Sequence, residues 1–74
     1  MLFGKTKKVL EDKEAEIKLN LSNNYKDSAY NGYLEYTQLV NDFKDKGKIG
    51  DKDFEKLNYK IEDYKRMFAN YIKR

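Results

Sequence analysis

This sequence predicts an all-α fold: an antiparallel helical hairpin, residues 24–46 and 51–73, joined to an N-terminal helix over about 5–20 to make a small three-helix bundle. Three observations predict it. Apolar residues recur at alternating spacings of three and four along 51–73 and again along 24–46, the period of one face of a helix. A glycine-bearing turn separates these stretches, too short for anything but antiparallel neighbours. Ahead of them, a weaker apolar stripe ends in a run rich in capping residues.

The first element rests on Val9, Leu10, Ala15, Ile17, Leu19 and Leu21, scattered among the eight Lys, Asp and Glu residues of positions 7–18. Glu14 and Lys18 add an i,i+4 pair. Asn20-Leu21-Ser22-Asn23-Asn24 is poor in helix formers, and Asn24 with Asp27 resembles an N-terminal capping arrangement, which places a break at 20–24. The alternative is one long helix over 6–46 packed on 51–73, necessarily oligomeric, because only another molecule then covers the first twenty residues. In that case Leu10, Ile17, Leu21, Tyr25, Tyr36, Val40 and Phe43 share one broad face.

The second helix carries Ala29, Tyr33, Tyr36, Val40 and Phe43, and the third carries Phe54, Leu57, Ile61, Tyr64, Phe68 and Tyr71. Asp51, Asp53 and Glu55 open the third while Lys73 and Arg74 close it, in the sense that suits the helix dipole, and Glu62 with Arg66 forms an i,i+4 pair. In the turn, Gly47 suits the left-handed position after a helix, Gly50 or Asp51 caps the next one, and Ile49 tucks between the helix ends. Tyr30 and Leu34 fall opposite the main stripe, where the first helix of a bundle, or a second subunit, should bury them.

At 74 residues the chain holds one domain, 1–74. Leu, Ile, Val and Phe number 17, just above the level of roughly 20% below which charged chains stay unfolded, so self-association or a partner would help. The 39% charged residues nearly cancel to +3, an interspersed surface and no basic block. No apolar stretch follows the basic start to form a signal core and none is long enough to span a membrane, which leads to the expectation of a cytoplasmic chain. Leu2 and Phe3 with Lys5, Lys7 and Lys8 make only a weak membrane anchor. The abundance of Lys, Asn, Tyr, Asp and Ile suits AT-rich coding, as in a bacterium, phage or mobile element.

Chemistry is poorly served. Without His or Cys, the groups most used for proton transfer near neutrality, covalent attack and transition-metal binding are missing, and no enzymatic activity, cofactor or metal is expected. A calcium loop begun at Asp45 would put Gly47 and Ile49 at ligand positions and Lys56 where a bidentate Glu belongs. Gly47-Lys48-Ile49-Gly50 lacks the spacing of a phosphate-cradling loop.

From Leu39 to Tyr64 the pattern Leu39-x3-Phe43-x3-Gly47-x-Ile49-x3-Asp53-Phe54-x2-Leu57 resembles the helical hairpin of the SHOCT (short C-terminal domain) family. Gly47, Ile49, Asp53 and Phe54 match its Gly-x-Ile turn and acidic-aromatic pair, while Gly50 stands where that family carries a hydroxyl cap. The resemblance implies an oligomerisation or docking element.

The function class that remains is a non-enzymatic protein-interaction or oligomerisation module, a small accessory protein expected to form a homo-oligomer or bind a protein partner. Tyr25, Tyr30, Leu34 and Tyr59, off or at the edge of the stripes, are its candidate contact residues. The alternative is a nucleic-acid-associated regulator binding phosphate through Lys52, Lys56, Lys60, Lys65 and Arg66, although acidic residues interrupt their field.

Overall fold

Two turns of one design set the path of the chain. The computed structural model describes residues 4–72, with side chains through Ala69, as three helices: α1 (Gly4–Ser22), α2 (Lys26–Asp45) and α3 (Asp51–Ile72). Leu2 and Phe3, the Tyr71 side chain, and Lys73 and Arg74 lie outside the described residues. At the end of α2, Gly47 takes φ 74°, its N–H donates to the Lys44 carbonyl (3.1 Å), and the Lys48 N–H reaches back to Phe43 (2.8 Å). At the end of α1, Asn24 takes φ 65°, donating to Leu21 (3.1 Å), and the Tyr25 N–H reaches back to Asn20 (2.7 Å). Both are Schellman terminations, in which a left-handed residue lets two N–H groups satisfy the last carbonyls of the helix.

The break expected at 20–24 therefore lies at 23–25, and Asn24 ends the first helix where it was expected to cap the second. Tyr25 occupies the N-cap position of α2 and makes no side-chain cap hydrogen bond. The chain does not take the uninterrupted path of a helix over 6–46. At the other corner Gly50 caps α3 through its carbonyl, which accepts from the Phe54 N–H (2.9 Å), and Ile49 is buried. Lys44 clasps this corner, 2.7 Å from Asp51 and above the Phe54 ring.

α1 sits close on α2 because small residues meet it there. A Cβ placed on Gly32 would lie 2.9 Å from Cγ1 of the fully buried Ile17, so only glycine lets the two backbones approach this far. The buried stripe of α1 is Thr6, Leu10 and Ile17, with Leu21 partly buried. Its centre is polar: Lys13 bridges to Glu35 of α2 (2.9 Å), and Glu14 to Lys60 of α3 (3.2 Å). Glu14 thus pairs with Lys60 and not, as its spacing suggested, with Lys18.

Between α2 and α3 the filling is aromatic. Tyr33 and Tyr36 face Tyr64 and Phe68, with centroid separations of 5.5 Å for Tyr33–Phe68 and 6.1 Å for the edge-on Tyr36–Tyr64 pair. Tyr30 joins this cluster edge-on to Phe68 at 5.5 Å. Helix α3, not the first helix, shelters Tyr30, while Leu34 stays exposed, contrary to the expectation that α1 would bury both. On the outer face of α3, Arg66 pairs with Asp63 in place of Glu62.

Gly32→Ala tests the close approach. Helix propensity alone would favour alanine by about 1 kcal/mol; the clash with Ile17 reverses the sign, and thermal unfolding should show a lower Tm. Gly32→Ala combined with Ile17→Ala should cost less than the sum of the single changes. A stabilised G32A protein would show that α1 is not seated as described.

Candidate functional site

The candidate contact residues do not gather into one pocket. Tyr25, 62% exposed, sits in the α1–α2 turn. Tyr30 and Leu34 are one turn apart on the exposed side of α2, Tyr30 half-buried against the aromatic cluster and Leu34 46% exposed. Tyr59, 68% exposed, projects from α3 on the side opposite Leu57 and Ile61, where it lines a shallow hollow of about 160 Å³ with Glu55, Asn58 and Glu62. Exposed Val9, Leu19 and Met67 were not anticipated; each lies off the buried stripe of its helix, which is the signal that marks them.

The candidate phosphate-binding residues are divided by their surroundings. Lys60 is held by Glu14, and Arg66 by Asp63. Lys52, Lys56 and Lys65 are exposed and make no ion pair among the described residues.

A polar groove runs between α1 and α3. Glu11, Glu14, Ala15, Lys18 and Lys60 line one hollow of about 330 Å³, and a second of about 240 Å³ adjoins it past Asp63, Tyr64 and Met67. The Glu14 side chain is only 13% exposed. Beneath it lies Tyr36, fully buried, whose hydroxyl has the Glu14 carboxylate as its polar neighbour without a hydrogen bond of full geometry between them. Burial, reinforced by the negative charge of Glu14, pushes the Tyr36 and Tyr64 phenols above the ordinary tyrosine range. Burial does the same to Tyr33, helped by Tyr30 and Glu62. Hydrogen bonds to Glu16 and Glu35 hold the Lys13 ammonium above its ordinary value.

Among the described residues, no three carboxylates gather in a way that could hold a metal ion, and no helix is long and apolar enough to cross a membrane. No protein-family model matches the chain, and comparisons with curated proteins and with solved structures return no match.

Two outcomes follow from the buried phenols. Tyr36→Phe removes a desolvated hydroxyl that makes no hydrogen bond of full geometry to its neighbour Glu14, so it should raise stability by about 1 kcal/mol, read as a Tm increase of about 4–8 °C; a Tm loss would mean that the hydroxyl donates to Glu14 in solution. With rising pH the unfolded chain loses tyrosine protons from about the ordinary value of 10.0, while the folded chain keeps those of Tyr33, Tyr36 and Tyr64. The folded state then binds more protons, so stability is complete below that pH and falls as pH rises beyond it, with Lys13 acting in the same sense. Phenolate absorbance should therefore develop in two stages, the later one together with loss of helical circular dichroism. A single early titration of all 7 tyrosines with helix intact would contradict the burial.

Proposed function

We propose that the chain is a non-enzymatic protein-interaction module, working in the cytoplasm through side chains that its own fold leaves uncovered. The observation that carries this reading is the exposure of Tyr25, Leu34 and Tyr59 on a bundle whose core is already closed by Leu10, Ile17, Tyr36, Val40 and Ile61. Tyrosines of this kind supply large contact area at little entropic cost and are enriched where protein surfaces meet, and Leu34 adds further apolar area. Tyr30 contributes only its outer edge, since its ring braces Phe68.

The resemblance of residues 39–64 to the SHOCT hairpin supports the same reading, because docking or oligomerisation is what that hairpin implies. A phosphate-binding role has less support. Lys60 and Arg66 are neutralised by acidic partners, and a nucleic-acid face concentrates one sign of charge.

Leu34→Glu combined with Tyr59→Glu is the direct test. Both side chains are exposed, so the double variant should keep its helical circular dichroism and lose no more than about 1 kcal/mol of stability. Its association should fall at least about tenfold, measured as sedimentation mass for self-assembly and as recovery of a protein partner by affinity capture. A wild-type chain that is strictly monomeric at high concentration and retains no protein partner would overturn the reading.

A further inference from the structure

The two Schellman turns differ in one respect. The α2–α3 turn carries glycine at its left-handed position, whereas the α1–α2 turn carries Asn24 at φ 65°, a conformation that asparagine adopts more readily than other side-chain-bearing residues but less freely than glycine. Tyr25 then opens α2 without a side-chain cap, although the first N–H groups of a helix have no partner inside it. If residues 23–25 became helical, the N–H groups of Lys26, Asp27 and Ser28 would find acceptors on the carbonyls of Ser22, Asn23 and Asn24, and Asn24 would leave its left-handed conformation. The local backbone thus gains by straightening.

Tertiary packing does not oppose it, provided a second copy is present. At 100° per residue, Leu10, Ile17, Leu21, Gly32 and Leu39 fall within roughly 60° of one another on a continuous helix. The stripe by which α1 meets α2 and the stripe by which α2 meets α1 would then lie in line. Two such chains placed antiparallel would re-form the contacts of α1 between chains, Ile17 on Gly32, Lys13 on Glu35 and Glu14 on Lys60, while the α2–α3 contacts stay within each chain.

We propose that residues 23–25 are a hinge through which two copies exchange α1, forming an antiparallel dimer whose interface is the α1 seat already present in the single chain. The occupant of that seat is the α1 of a second copy, because the seat is shaped for α1 and holds it here. The inference rests on the oligomerisation half of the interaction-module reading, and it uses a surface separate from Leu34 and Tyr59.

Hinge variants of the full chain test it. Asn24→Ala penalises the turn and favours the helix, while Asn24→Gly does the reverse. Light scattering over a concentration series should give a dimer association constant at least about tenfold higher for N24A than for N24G. The geometry is read separately: the chain has no cysteine, so N24A carrying Lys13→Cys is refolded with N24A carrying Glu35→Cys and treated with a short bis-maleimide. Exchange predicts bridged dimers containing one chain of each kind. N24A that stays as monomeric as N24G, even if it melts earlier, overturns the proposal, as does a dimer that yields no mixed bridge. In either case association through Leu34 and Tyr59 in the wild-type chain is unaffected, so loss of the hinge and loss of the module are distinguishable.

Discussion

The distance between α1 and α2 at Ile17 and Gly32 governs the rest of the molecule. α1 is mostly charged, and Leu10 and Ile17 are its only fully buried large apolar side chains. Burying such a side chain is worth roughly 1.5–3 kcal/mol, so two of them hold α1 only if both are packed tightly. Gly32 makes that possible by removing the one atom that would keep the backbones apart. The ion pairs of Lys13 and Glu14 lie on either flank of this contact and reach to different helices. Each pair joins one largely covered side chain, Lys13 or Glu14, to an exposed partner, and ion pairs open to solvent on one side add little stability. Their effect is on orientation, since a rotation of α1 about its axis would break both at once.

The other interface answers to a different constraint. Large rings from both α2 and α3 fill the space between them, and their edge-on and tilted arrangements hold the helices further apart than glycine does. The bundle is therefore asymmetric, with a close α1 contact on one side of α2 and a wider-spaced aromatic one on the other. α1 buries Leu10 and Ile17 where α3 buries Leu57, Ile61, Tyr64 and Phe68, so α1 depends on closeness more than on apolar bulk.

Periodicity made the second and third helices legible, along with the corner between them, because their apolar residues recur without interruption and Gly47 has few roles other than a left-handed termination. It served α1 less well for a physical reason. The buried stripe Thr6, Leu10, Ile17 has Lys13 and Glu14 at its centre, and a charged pair reads as solvent-facing until a partner helix supplies Glu35 and Lys60. Asn24 was ambiguous in a similar way, since asparagine suits both the start of a helix and the left-handed end of one. Spacing also assigns an azimuth without naming the neighbour, so Tyr30 was rightly placed off the main stripe yet given to the wrong helix. Spacing alone says nothing of Gly32, whose value is visible only against Ile17. For the candidate surface, exposure could be anticipated at Tyr25 and Tyr59 but not the separation of these residues onto different faces.

That separation bears on what the surface can hold. A small molecule needs several groups converging on one concave site, and the exposed apolar side chains here point from different helices toward different directions. A macromolecular surface has no such requirement, because it can engage scattered side chains over a wide area. The same holds for a second copy of the chain. Closed and exchanged forms would share the contacts of α1, so their balance depends on the three residues of the turn and on concentration. A fold whose first helix is seated through two large apolar side chains, and whose first turn carries asparagine where the second carries glycine, has the physical means to use its own helix as the partner.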